Sequence, residues 1–414
     1  MMRMIKLVNY FAALCILIGF FSCKTIFKSS PYQGYINSLV NVGLDTTAMG
    51  KIWINNGLEV LSNPNQNLKF PFKEEIFFKQ NIPSATAYQI NYKQSTKLKF
   101  TINSKSKSGV FLDLFNDVSS RKAMISEFIS DTTFYYQSDN DEVLTLRLQP
   151  KLLVNLYTIL EVAELPKLAF PVKNGENKDI KSFWGNSRDG GERNHEGVDI
   201  FNKRNTPVLA VADGTISRVQ ITTLGGKVVW QKLGLGGPSI YYAHLDSQLV
   251  NIGQSVNKGD VVGFIGNTGN AKTTSPHLHF GIYTNGGAID PLNYIYKRDS
   301  IVGKVKSDVK YLGEELMLAD NDSVIPVNIL SVSTESITFG NGDGILKYQN
   351  SLKGLNPKIN KKTNIVDSLI LEAPENTAIP TAKFNKKLAY KVLGYSGDFL
   401  YISQEDKKGW IKAI

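Results

Sequence analysis

The chain has 414 residues, 42% of them hydrophobic and 20% charged, with 18 Tyr and 21 Phe. That balance excludes intrinsic disorder, and the length exceeds one ordinary domain. The net charge of +10 suits an anionic partner such as a wall or membrane surface. No dense Arg/Lys stripe with interleaved aromatics is present, so nucleic acid is not expected as a partner, and most lysines read as a solvated surface.

The first element is not part of the fold. Arg3 and Lys6 precede the apolar run "LVNYFAALCILIGFFSC", the n-region and h-region of a secretory signal over 1–22. The run is short for a transmembrane span, although an uncleaved signal anchor is the alternative. Ser22–Cys23 resembles a lipobox, with Phe20 and Phe21 departing from its usual residues. The resemblance implies cleavage before Cys23 and lipidation of its sulfur, hence an exported chain held at a bacterial membrane, the outer membrane facing the periplasm. The other cysteine, Cys15, lies inside the signal, so the mature chain has no thiol nucleophile, no thiolate metal site and no internal disulfide.

Residues 23–170 read as an N-terminal β-sandwich-like domain. Tyr35, Leu39 and Val42 suggest one short helix near its start. Period-two runs follow: Leu98, Phe100 and Ile102; Val110, Leu112 and Leu114; Leu144, Leu146 and Leu148; and "LYTILEV". Such alternation predicts strands with one buried face. After a junction at "PVKNGENKDIKSFWG", residues 183–297 alternate short apolar segments with Gly turns, the pattern of an all-β domain. Residues 298–360 read as a connecting β and linker region. Residues 361–414 carry "YKVLG", "FLYIS" and "GWIKA", which resemble the strands of a bacterial SH3-like barrel. The expected fold class is therefore mostly β: a sandwich, a central antiparallel domain and a small terminal barrel.

All four histidines fall between 195 and 279. In "PHLHF", His277 and His279 are two apart on an apparent strand and point to one face, with Leu278 and Phe280 on the other. In "HEGVD", His195 and Asp199 are four apart, neighbours on a helix or brought together by a turn entering a strand. His244 closes "YYAH". Imidazole and carboxylate suit zinc, and a catalytic zinc keeps three protein ligands and an open position. Zinc lowers the pKa of bound water to about 7, while further histidines can move protons or steady an oxyanion.

In this order "HEGVD", "YAH" and "HLH" resemble the motifs of lysostaphin-type metallopeptidases, the family that includes LytM and β-lytic domains. "TPVLAVADGTI", "VNKGDVVGFIGNTGNA", "SPHLHFGIY" and "AIDPLNYI" fit the same family over 183–297. The resemblance implies His195, Asp199 and His279 as zinc ligands and His244 and His277 as catalytic histidines. It implies a zinc endopeptidase cutting the stem-peptide cross-links of peptidoglycan. A wall-binding lipoprotein that activates another hydrolase, and a zinc peptidase acting on proteins, are the alternatives; other cell-wall proteins are then possible partners. Glu196, beside a ligand, is expected to point away and be solvated. Tyr241 or Tyr242 is a candidate to line the groove, with Tyr242 taken together with Asn270 as substrate-binding. Asn267, Thr268 and Asn270 sit in a Gly-rich loop whose turn chemistry explains them equally well.

Overall fold

The structure is a computed structural model that describes residues 29–104, 108–300, 302–303, 305, 309–320, 323–334, 336–340, 346–349 and 364–413. The signal segment and Cys23 lie outside the described residues, as does most of "INKKTN".

Two helices open the described chain where the sequence suggested one. The first, Pro31–Asn41, has Pro31 in its first turn and Ser30 as N-cap, whose side chain accepts from the Gln33 amide. The second, Ala48–Ser62, is capped by Thr47, which accepts from the Gly50 amide. Both lie on a five-stranded sheet of order Gln66–Asn67, Thr86–Tyr92, Glu142–Pro150, Val110–Phe115, Ile125–Ile129. Every residue of Val110–Phe115 is buried. Val110, Leu112 and Leu114 enter the sandwich core, while Phe111 packs with Tyr32, Leu39 and Trp53 under the helices. On that helix-facing side Arg147 ion-pairs with Asp113 at 2.7 Å, donates to the Gly57 carbonyl and lies over the Tyr32 ring.

The opposing sheet contains Phe72–Phe78, Leu156–Pro166, Thr96–Ser104 and Asp131–Tyr136. Its inward residues, among them Phe72, Ile76, Leu98, Phe100 and Leu160, interleave with Tyr88, Ile90, Leu144 and Leu146 of the first sheet. This sheet does not stop at the sandwich. Ser323–Ser333, in the segment expected to be a connection, pairs antiparallel with Phe72–Phe78. Beyond it the terminal strands Lys391–Ser396, Phe399–Gln404, Lys407–Lys412, Leu369–Leu371 and Pro380–Lys383 continue the hydrogen-bonded path. They enclose a small core of Ile370, Phe384, Leu400, Ile402 and Ile411.

Between these two parts, residues from 180 onward build a separate antiparallel sheet. Its order is Ile180–Ser182, Val198–Phe201, His277–Thr284, Ser239–Gln248, Gly226–Lys232, Gly214–Thr222, Ser255–Val256. One face carries the apolar core: Val198, Ile200, Val229, Ile240, Tyr242, Leu278, Phe280 and Ile282. Burial of each such side chain contributes about 1.5–3 kcal/mol. The other face is left for chemistry.

Candidate metal centre and cleft

Two strands bring the first ligands together. Val198–Phe201 pairs with His277–Thr284 so that Asp199 lies directly opposite His279. Leu278 and Phe280, the residues between, are fully buried in the core, which leaves His277 and His279 on the open face. His195 arrives from the loop before Asp199, where Gly197 makes the approach possible. A Cβ there would meet the Phe280 carbonyl oxygen at 2.5 Å and the His279 ring at 2.7 Å.

The donor atoms form a nearly equilateral triangle. His195 Nε2 lies 3.0 Å from Asp199 Oδ1 and 2.9 Å from His279 Nδ1, and His279 Nδ1 lies 3.0 Å from Asp199 Oδ1. Around a zinc-sized ion with bonds of about 2.0–2.2 Å, tetrahedral donors stand about 3.3 Å apart, so the set fits a tetrahedral cation with one position open. The outer contacts fit as well. His195 Nδ1 donates to the Phe183 carbonyl at 2.9 Å, which fixes the tautomer and leaves the Nε2 lone pair facing the triangle. Burial works to raise the pKa of Asp199, but the His195 and His279 imidazoles beside it outweigh that effect and hold the carboxyl well below the usual range. His279 is pushed down, by burial first.

His244 reaches the same face by a break in its strand. Its φ is +59°, in the left-handed region that non-Gly residues avoid, and its amide bonds the Gly225 carbonyl instead of the neighbouring strand. The pairing register shifts there, a bulge that re-aims the side chain. His244 Nδ1 donates to the Thr268 carbonyl and His277 Nδ1 to the Ser275 carbonyl, both at 2.9 Å. A carbonyl can only accept, so in each ring Nδ1 carries a proton and Nε2 is the nitrogen left for proton transfer. The two rings stand 5.0 Å apart, and His277 stacks on Phe201. Burial, followed by the neighbouring His277 and His279, lowers the pKa of His244 to about 4, so it is neutral at pH 7.

These groups line a cleft of about 640 Å³. Asn270 lines it, and so does Glu196, whose carboxylate is exposed and accepts from Tyr283 Oη at 3.4 Å. Tyr242 does not. It is fully buried, donates to Gln231 Oε1 and accepts from the Val211 amide, so the substrate-binding assignment of Tyr242 is corrected. Counting back by twos from His244 puts Tyr242 on the catalytic face, but the left-handed φ of His244 shifts the phase by one. Tyr241 faces the cleft instead, in a cluster with Trp230 and Tyr283. Tyr283 was within reach of the sequence, since counting by twos from His277 and His279 arrives at it. Ser182 and Arg188 were not: Arg188 Nη2 donates to Asp199 Oδ2 at 2.8 Å and to Ser182 Oγ at 2.6 Å, and nothing local sets it apart from the other cations.

An antiparallel β sheet with a His–Asp–His triangle and two further histidines on its open face defines a metallopeptidase-type domain. Residues 193–291 match the family model of Peptidase family M23, and the chain carries a domain of that family. Three relatives align with this part. An uncharacterized metalloprotease of Haemophilus influenzae is 42% identical over 101 residues, 24% of this chain and 21% of that protein. An L-Ala--D-Glu endopeptidase of Bacillus subtilis is 33% identical over 135 residues, 30% of this chain and 40% of that protein. The peptidoglycan DD-endopeptidase ShyC of Vibrio cholerae is 30% identical over 116 residues, 27% of this chain and 25% of that protein. The chain thus spans well under half the length of each of these relatives.

Proposed function

We propose that the chain is a zinc-dependent endopeptidase that hydrolyses peptide cross-links of bacterial peptidoglycan. The observation that carries this reading is the convergence of three donors within 3.0 Å of one another beside two histidines whose Nδ1 atoms are fixed on backbone carbonyls in one cleft. The M23 match and the endopeptidase names of two relatives support the substrate class.

His195, Asp199 and His279 would hold the ion. A bound zinc supplies a Lewis acid that brings a water's pKa to about 7 and polarises the scissile carbonyl. His244, neutral at pH 7, offers Nε2 to the proton of the attacking water, and once protonated it returns that proton to the leaving amine. His277, whose ring stands 5.0 Å from that of His244, steadies the oxyanion when its Nε2 carries a proton. Tyr241, Asn270 and the other cleft walls orient the peptide. The expected lipid on Cys23 would hold the enzyme at the membrane facing the wall, and the terminal barrel-like module would grip wall peptides. The lipid is checked by the mass of the mature N-terminus.

The test is zinc content and sacculus hydrolysis measured together on the soluble chain from Lys24 and on His279→Ala. One zinc per chain with cross-links cut, both lost in the variant, is the expected result. Zinc bound with intact sacculi would turn the reading toward a protein substrate, and no zinc at all would overturn it.

A further inference from the structure

Which oxygens of Asp199 reach a bound cation decides whether the fourth position stays open for water. We propose that Arg188 is a positioning residue that holds Asp199 to one-oxygen coordination. The proposal rests on the metallopeptidase reading above.

The carboxylate is divided between two sets of partners. Oδ1 faces His195 and His279, each at 3.0 Å, whereas Oδ2 accepts from Arg188 Nη2 at 2.8 Å. The contact is charge-assisted and shielded, the Asp199 side chain being 10% exposed and that of Arg188 29%. Turning Oδ2 toward the cation breaks this bond. The arginine is itself anchored, because the same nitrogen donates to Ser182 Oγ, and Ser182 pairs with Asp199 across the sheet.

The backbone carrying Arg188 is braced to the same end. Ser187–Arg188 pairs with Arg193–Asn194. The turn between them passes through Asp189, Gly190 and Gly191, all at positive φ, and is stapled by Arg193 Nε to Asp189 Oδ2 at 2.7 Å. The hairpin runs directly into His195, whose amide bonds the Asn186 carbonyl and whose carbonyl accepts from the Gly185 amide. One short hairpin therefore sets the place of a ligand and of the cation that restrains another ligand. A lysine in place of Arg188 would be a point charge without a fixed fork.

The probe is cobalt(II), bound to the whole soluble chain without substrate, because its visible spectrum reports coordination number directly. The wild type is expected to show the strong bands of a four-coordinate site. Arg188→Met keeps the aliphatic stem and removes the donors. It is expected to show the weaker spectrum of a five-coordinate site, as Asp199 turns its second oxygen inward. Zinc affinity by chelator competition should fall about 10–100-fold. Should Arg188→Met fail to fold, Arg188→Lys is read in the same way, with a smaller shift. A variant spectrum that superimposes on that of the wild type overturns the role of Arg188 and leaves the metallopeptidase reading standing. A wild type that takes up no cobalt overturns both.

Discussion

Two carboxylates in this molecule are buried against an arginine, and they end differently. In the sandwich, Asp113 Oδ2 is met by Nε and Nη2 of Arg147, and Oδ1 accepts from Ser126 Oγ. Each oxygen faces a fixed donor, and the group is closed. In the central sheet, Asp199 shares one oxygen with Arg188 while the other looks at two imidazole nitrogens that themselves have lone pairs to give. Three donors converge on one point, and the site calls for a cation. The difference teaches that burial and pairing alone do not mark a functional carboxylate. What marks it is an oxygen whose neighbours are acceptors.

The comparison can be broken from either side. The largest effect is expected at His244: His244→Ala should lower peptide hydrolysis by about 10²–10⁴-fold while zinc stoichiometry stays at the wild-type level. Parallel loss of metal in that variant would mean that His244 is a ligand and not a proton carrier. In the closed pair, Arg147→Leu should leave Asp113 a buried charge with no cation beside it, only Ser126 Oγ, and cost about 3–5 kcal/mol of stability, read from denaturant midpoints. Zinc binding and turnover should be unchanged below the melting range; a loss of metal affinity there would show that the two regions are coupled.

The third effect is a pH dependence. The folded pKa of His244 lies below its ordinary value, at about 4, so the unfolded chain binds the extra proton first as pH falls. His244 therefore adds stability that is complete above about pH 6.5 and is lost between there and pH 4. With a chelator present to keep the site free of metal, the loss should approach 3 kcal/mol and should shrink in His244→Gln. An unchanged pH slope in that variant would assign the acid sensitivity to other groups. The smallest effect separates the two neighbouring tyrosines. Tyr242→Phe removes a buried hydroxyl with two partners and should cost about 1 kcal/mol of stability with activity intact. Tyr241→Phe should leave stability nearly unchanged and alter KM.

The site was more legible in the sequence than the frame that carries it. His277 and His279 show their shared face because a strand has period two and nothing interrupts them. The same rule failed one strand away, where the backbone of His244 leaves the β region and reverses which tyrosine faces the cleft. In the sandwich, the runs through Leu98 and Leu144 announce their strands by alternating apolar with polar residues, and Val110–Phe115 by aliphatic residues at every second position. Phe72–Phe78 does not, because its buried positions are Phe72, Glu74, Ile76 and Phe78. An inward-facing glutamate hides the period from any reading by hydrophobicity. Its partners lie on other strands, Tyr88 Oη 14 residues on and Ser331 Oγ 257 residues on. No local window holds such a pairing, nor the one between Arg188 and Asp199.

That glutamate also has a consequence for the order of events during synthesis. Ser331 stands 257 positions after Glu74, with the whole metallopeptidase domain in between. Until those residues emerge, Phe72–Phe78 is an open edge whose inward carboxyl lacks one of its two hydroxyl donors, and burial pushes that carboxyl toward its neutral form. The first domain to be made is therefore among the last to be finished. The catalytic sheet, whose strands find all their partners within 180–289, is complete before the frame that holds it has closed.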